Sequence, residues 1–246
     1  MSLDRIQRNW EAFGRQDPLW AILTWPDKRD GRWDREEFFA TGRQEVAAML
    51  QRTRALAPTV RTGRALDFGC GVGRLSRALR ASFDQVHAVD IAQSMIDQAR
   101  KLDREQTVTW HCNQADDLGR FVDDHFDLIY SSITLQHLPR RLAAGYVAEF
   151  GRILAPGGVT VFQLPERLRN KRSRHPVRRL LGYVAGPIRG ALRRLQSRGP
   201  IMEMHGTPRA EVTDWLARAG LEVLAVDDNT MAGADWFSAI YFARKP

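Results

Sequence analysis

Short apolar runs alternating with stretches of helical spacing dominate residues 61–165. RALDFG (64–69), VHAVDI (86–91), VTWHC (108–112), FDLIYSS (126–132) and GGVTVFQLP (157–165) are nearly continuous apolar segments, the pattern of strands buried on both faces. Between them, GRLSRALRAS (73–82) places Leu75, Ala78 and Leu79 on one helical face. SMIDQARKL (94–102), with Ser94 as N-cap, and LAAGYVAEFGRIL (142–154) read as further helices. Strand alternating with helix at this spacing predicts a parallel sheet covered by helices on both sides. Further on, TPRAEVTDWLARAG (207–220) predicts a helix capped by Thr207, with Pro208 at its first position and Gly220 past its end. LEVLAVD (221–227) and WFSAIYFAR (236–244) follow as strands joined by a link short enough for an antiparallel pair.

The pattern divides the chain into four parts. Residues 1–60 read as a helical lid with a break at TWPDKRDG (24–31), 61–165 as the core, 166–201 as an insertion, and 202–246 as the helix and strands that complete the core. Composition narrows the class. The 246 residues are 43% hydrophobic and hold only two cysteines, too few for a disulfide framework. No apolar stretch approaches the length of a membrane span, and MSLDRIQRNW carries no secretory core. A cytoplasmic location is the resulting expectation. Charge is distributed unevenly. Eleven of the 37 basic residues lie between Arg167 and Met202, without an acidic one among them, leaving 26 against 29 acidic residues elsewhere. The insertion therefore needs its own explanation.

Candidate chemistry begins at Asp67-Phe68-Gly69-Cys70-Gly71-Val72-Gly73, which leaves the first strand and opens a helix. Glycines there permit positive φ and close approach of a ligand, at the end of a sheet where open α/β proteins bind ligands. A dinucleotide fingerprint would need glycine at 74, where this chain has Arg74, and a phosphate loop would need Gly-Lys-Ser/Thr, which is absent.

With LDFGCGVG (66–73), AVD (88–90), FDLIYSSITLQHLP (126–139) and RILAPGGVTVFQLP (152–165) in this order, the sequence resembles the class I S-adenosylmethionine-dependent methyltransferases. The resemblance is strong over about residues 62–165 and weak over 207–246. It implies an α/β, Rossmann-like sheet of seven mostly parallel strands with the last strand antiparallel, a cofactor S-adenosyl-L-methionine, and a set of binding residues. Asp67 would take the methionine ammonium through the loop, with Gly69, Cys70 and Gly71 against the methionine and ribose. Asp90 would hold both ribose hydroxyls, since one carboxylate accepts two hydroxyl protons. Ile91 and Met95 would pack around the adenine, or serve as plain core. Gln114 and Ala115 stand where the family has Asp-Ala near the adenine amine, Gln114 replacing the acid, and Asp116 is the competing choice. Ser131 ends the fourth strand beside the cofactor, and Arg43, in FFATGRQEV (38–46), would meet the methionine carboxylate.

Methyl transfer from a sulfonium is a displacement in which the protein positions the nucleophile and excludes water; a hydroxyl nucleophile also calls for a base. His137, just after the fourth strand, and His205, beside Glu203, are the candidates, while His111 reads as structural. No His/Cys/Asp spacing suggests a metal. The chain lacks the Asn/Asp-Pro-Pro-aromatic motif of family members that methylate DNA amines, and lacks a Pro-Cys nucleophile. It also has no acidic pair of the protein-arginine type after the fourth strand. What remains is O- or N-methylation of a small, hydrophobic or lipid-like molecule; Trp20, Trp25, Trp33 and Phe38 either wall part of its pocket or pack the lid against the core. In the insertion, Val177, Leu181, Val184, Ile188, Leu192 and Leu195 recur at helical intervals with arginines opposite. Three readings stand for 177–195: a substrate cap, a cap that touches an anionic membrane, and a phosphate-gripping tract of an RNA methyltransferase.

Overall fold

The computed structural model describes residues 2–169 and 199–246. The apolar stripe of 177–195, with its three readings, lies outside the described residues.

Seven strands form one sheet in the order β3-β2-β1-β4-β5-β7-β6. They are β1 (Arg64–Phe68), β2 (Gln85–Asp90), β3 (Thr109–Cys112), β4 (Phe126–Ser131), β5 (Leu154–Leu168), β6 (Glu222–Asn229) and β7 (Trp236–Arg244). The first five run parallel, and β7 inserts antiparallel between β5 and β6. This is the expected architecture, including the antiparallel last strand. The continuous apolar runs have the expected cause. In β4, Leu128 and Tyr130 enter one core while Ile129 enters the other, so successive residues are buried on opposite faces.

Helices α1 (Leu3–Gln16), α2 (Pro18–Ile22), α3 (Arg35–Leu56), α4 (Ser76–Leu79), α5 (Gln93–Leu102), α6 (Arg140–Ile153) and α7 (Arg209–Arg218) cover the sheet. One face packs on α6 and α7 through Val147, Phe150, Val212 and Leu216. The other packs on α3 and α5 through Val46, Leu50, Ile96 and Ala99. A third cluster, with Phe13, Trp33, Phe38, Phe39, Val72 and Met95, joins the N-terminal helices to the glycine loop. Met95 is fully buried in that cluster.

Three local expectations are corrected. Ser94 does not cap α5, which starts at Gln93 after Ala92. The carboxylate of Glu11 on α1 instead accepts from the Ser94 amide at 3.2 Å, and Ser94 Oγ donates to the Glu11 carbonyl at 3.0 Å. A side chain from another helix thus satisfies one of the free N–H groups and favours the positive end of α5. The approach needs Gly14, where a Cβ would lie 2.3 Å from Ser94 Oγ. Likewise Thr207 does not cap the last helix. Pro208 holds that position, and the buried Thr207 donates its amide to the Pro165 carbonyl at 2.9 Å. Pro165 in turn does not end β5, which runs to Leu168 with a bulge between Pro165 and Arg167, a place where a sheet tolerates a missing donor. Gly220 takes φ +72° just past the last helix, as expected.

Candidate functional site

The carboxyl ends of β1, β2 and β4 open into a cavity of about 470 Å³, within the usual range of roughly 300–1,000 Å³ for small-molecule sites. The glycine loop forms one wall. Gly69, Gly71 and Gly73 all have positive φ, at +79°, +53° and +86°, so the backbone itself demands glycine at each. The close approaches expected of a ligand are made by protein. An added Cβ would meet Thr134 Cγ2 at 2.1 Å from Gly69, Ile22 Cδ1 at 2.5 Å from Gly71 and the Trp110 ring at 2.3 Å from Gly73. Ile22 belongs to the N-terminal segment, so that segment rests directly on the loop.

Asp90 closes the second wall. Its Oδ2 accepts from the Gly71 amide at 2.8 Å and its Oδ1 from the Ala92 amide at 2.9 Å, which ties the loop to the end of β2. Each oxygen retains a lone pair. Burial raises the carboxyl to about 6 against the opposing backbone bonds. Asp67 sits below the loop and is not among the lining residues. Its Oδ2 accepts from Ser76 Oγ at 2.5 Å, and burial pushes it to about 7, with the Ser76 bond and the Arg74 charge acting the other way.

Glu45 on α3 and Arg74 after the loop complete this end. Arg74 Nη2 is 2.7 Å from Glu45 Oε2, and the Tyr130 hydroxyl donates to Glu45 Oε1 at 2.8 Å. Both Glu45 and Arg74 line the cavity. Arg74 Nε is buried without a partner. Arg43, from the same helix as Glu45, instead pairs with Glu36 on an exposed surface. The stretch 38–46 does reach the cavity, but through Glu45.

Much of the remaining lining is apolar. Leu3, Ile6 and Trp10 of α1, Trp25, Leu138, Met202, Met204 and Met231 belong to it. Trp33 and Phe38 pack into the buried lid cluster, and Trp20 is partly buried against that cluster. Ile133, Gln136 and His137 also line the cavity. Ile133 has φ +49°, an uncommon conformation for a β-branched residue and a mark of local strain beside the cavity. His137 Nδ1 lies 2.7 Å from the Glu203 carbonyl and its Nε2 lies 3.2 Å from Gln136 Nε2. Burial drives His137 down to about 4, against the raising effect of the Glu203 carbonyl, so the ring is neutral.

Of the residues named from sequence, Gly69, Cys70, Gly71, Asp90, Ile91 and His137 meet at the cavity; Ser131 is buried at the end of β4 but its neighbour Ser132 is the lining residue. Gln114, Ala115 and Asp116 are exposed on the loop after β3, where Asn113 alone reaches the cavity. His205 is not among the lining residues; its amide donates to the Gln136 carbonyl at 2.7 Å and its ring lies 3.9 Å from Glu203. Cys70 and Cys112 are free thiols, and burial pushes the Cys70 thiol well up, as suits a small core residue. Among the described residues no His/Cys/Asp/Glu group is placed to hold a metal, and no helix is long and apolar enough to cross a membrane.

Sheet order, glycine loop and acid-ended β2 define the fold of a class I methyltransferase. Residues 65–158 match the methyltransferase-domain family. The chain is 31% identical over 158 residues to a trans-aconitate 2-methyltransferase of Methylobacterium nodulans, covering 63% of this chain and 56% of that one. The chain thus spans little more than half of that relative. It is 26% identical over 218 residues to a ubiquinone biosynthesis O-methyltransferase of Xanthomonas oryzae, covering 88% of this chain and 76% of that one. In fold it is similar to magnesium protoporphyrin IX methyltransferase of Synechocystis with bound S-adenosylhomocysteine. The TM-score is 0.64 at 16% identity, over 98% of each chain.

Proposed function

We propose that the protein transfers a methyl group from S-adenosylmethionine to an oxygen or nitrogen of a small, largely apolar molecule. The observation that carries this reading is the lining of one cavity, which joins the glycine loop, Asp90 and the Glu45–Arg74 pair to Trp10, Leu138 and three methionines.

The residues present fit the cofactor. The buried Asp90 offers two carboxylate oxygens for a ribose diol. Glu45 and Arg74 supply opposite charges for an amino-acid end, and Arg74 Nε lacks a partner that a carboxylate would provide. Ile91 and Asn113 stand beside them for the base. When bound, the cofactor supplies an electrophilic methyl on a positively charged sulfur. The protein holds the acceptor atom in line, with the lid segment from Leu3 to Trp25 excluding water. The acceptor atom forms the new bond to carbon, the old S–C pair stays on sulfur, and the acceptor's proton leaves to solvent.

The lining also bears on the acceptor. Arg74 is the one cationic lining side chain among the described residues, and Glu45 already neutralises it. A tricarboxylate such as trans-aconitate would find no free positive charge among these residues, and burying unpaired anions is costly. A neutral ring or chain with a hydroxyl or amine suits the cavity better. The test is to incubate the protein with methyl-labelled S-adenosylmethionine and cell extract, then separate organic, aqueous and RNA fractions. Label in the organic fraction is expected. Label confined to RNA would replace this reading with the phosphate-gripping one.

A further inference from the structure

One stripe of α1 does two things. Leu3, Ile6, Trp10 and Gly14 recur at intervals of three and four residues, which places them on one helical face. The first three line the cavity. The fourth carries no side chain, and a Cβ there would lie 2.3 Å from Ser94 Oγ and 3.1 Å from the Met95 amide nitrogen. The helix that walls the cavity therefore docks at its far end on the first turn of α5. That turn begins just after the amide of Ala92, which Asp90 Oδ1 holds at 2.9 Å.

Glu11 gives the docking a direction. Its Oε2 accepts from the Ser94 amide at 3.2 Å and its backbone carbonyl accepts from Ser94 Oγ at 3.0 Å. Its Oε1 accepts from Arg15 at 3.0 Å, which steadies the carboxylate. Phe13 and Met95 share an apolar cluster beside this junction, but apolar packing is non-directional and alone would let the helix slide. Two hydrogen bonds between one pair of residues fix its position along α5. Near its start, α1 also meets the segment that carries Met202 and Met204, both of which line the cavity. Arg5 Nη2 lies 3.0 Å from Glu203 Oε1, and Asn9 Oδ1 accepts from the Ile201 amide at 3.3 Å. The Arg5 side chain is 50% exposed, so its ion pair is a weak tether, and the Glu11–Ser94 junction is the firmer anchor.

We infer that Glu11 and Ser94 are positioning residues for the acceptor: their junction holds the apolar wall of Leu3, Ile6, Trp10, Met202 and Met204 at a set distance from the Asp90 turn. Neither Glu11 nor Ser94 lines the cavity, so both act through α1. In-line displacement tolerates little error in the spacing of donor and acceptor, and a wall anchored beside the cofactor-binding acid sets that spacing. The assignment rests on the cavity being a methyl-transfer site.

The test measures two affinities at pH 8, where Asp90 is ionised. S-adenosylhomocysteine is titrated by calorimetry, and the neutral apolar fluorophore N-phenyl-1-naphthylamine is then titrated into the saturated protein. In Glu11→Ala the first affinity should stay within about twofold of wild type, because the Asp90 bonds to Gly71 and Ala92 do not involve Glu11. The fluorophore affinity should fall by at least about fivefold, the scale of one lost hydrogen bond. Glu11→Gln should restore it, since an amide oxygen still accepts from the Ser94 amide. Gly14→Ala should weaken the fluorophore as Glu11→Ala does, because Ser94 Oγ clears the added methyl only by leaving the Glu11 carbonyl. The assignment is overturned if the fluorophore binds Glu11→Ala as well as wild type, if the glutamine variant loses as much as the alanine one, if both ligands weaken in parallel, or if the saturated wild type binds no fluorophore. Failure of S-adenosylhomocysteine to bind the wild type would instead defeat the methyl-transfer reading.

Discussion

Arg74 and Glu45 meet at 2.7 Å between the residue that follows the glycine loop and the middle of α3, and the arginine side chain is only 3% exposed. The pair joins the glycine loop to α3 and engages Tyr130 of β4 through the second carboxylate oxygen. Removing Arg74 leaves the Glu45 carboxylate, whose side chain is 21% exposed, with only the Tyr130 hydroxyl as partner. Arg74→Ala should therefore destabilise the fold by about 2–4 kcal/mol and weaken S-adenosylhomocysteine binding. Arg74→Lys should restore little, because an ammonium cannot reproduce the forked geometry. Denaturant melts and calorimetry on the two variants check this.

Asp90 must be ionised to accept hydrogen bonds from two hydroxyls, and burial raises its carboxyl to about 6. Binding of S-adenosylhomocysteine should be independent of pH above about 7 and weaken as pH falls through 6, approaching tenfold per unit for one proton. Calorimetric titrations between pH 5 and 8 measure this directly. A profile flat to pH 5 would remove Asp90 from the binding event.

Gly71 combines a φ of +53° with Ile22 Cδ1 at 2.5 Å from its would-be Cβ. Gly71→Ala should cost about 1–2 kcal/mol from backbone strain alone and more from the clash. Shortening the neighbour in a Gly71→Ala, Ile22→Val double variant should recover the steric part and leave the backbone part. The non-additivity is read from a double-mutant cycle of melts.

His87 Nδ1 and His111 Nε2 lie 3.1 Å apart on adjacent strands, with His125 5.8 Å from the His87 ring. Burial drives His111 down to about 4 and lowers His87 and His125. Groups whose folded values lie below their unfolded ones bind fewer protons in the fold. Their contribution is present above about pH 6.5 and is lost as pH falls towards 4. Asp67, raised to about 7, acts in the opposite sense. The histidine effect therefore appears as a difference between wild type and His111→Gln: the advantage of the wild type should shrink between pH 7 and 4.5 in thermal melts.

Much of this molecule was legible before any coordinate. A parallel sheet could be inferred because buried parallel strands are short, apolar and separated by helices, and the Gly69–Gly73 loop and Asp90 announce themselves by residue type at strand ends. The N-terminal wall was expected as a lid, but Ile6, Trp10 and Ile22 carry no local mark that distinguishes a cavity face from a core face. Arg74 is visible in the sequence only as the residue that breaks a dinucleotide fingerprint. Its role depends on Glu45, which is 29 residues away and pairs with it only once α3 lies across the loop. Arg43 had the right charge in the right stretch and the wrong helical face. Ser94 and Thr207 fit capping rules locally, but Glu11 from α1 and the bulge after Pro165 supply the tertiary partners that override them.

The central claim is that Asp90 and the glycine loop bind the product cofactor. Calorimetric titration of S-adenosylhomocysteine into the wild type and Asp90→Ala at pH 8, with circular dichroism to confirm that both are folded, tests it most directly. The account predicts one site per chain in the wild type and a loss of at least about tenfold in the variant, the scale of two charge-assisted hydrogen bonds. No binding by the wild type, or equal affinity in the folded variant, would contradict it.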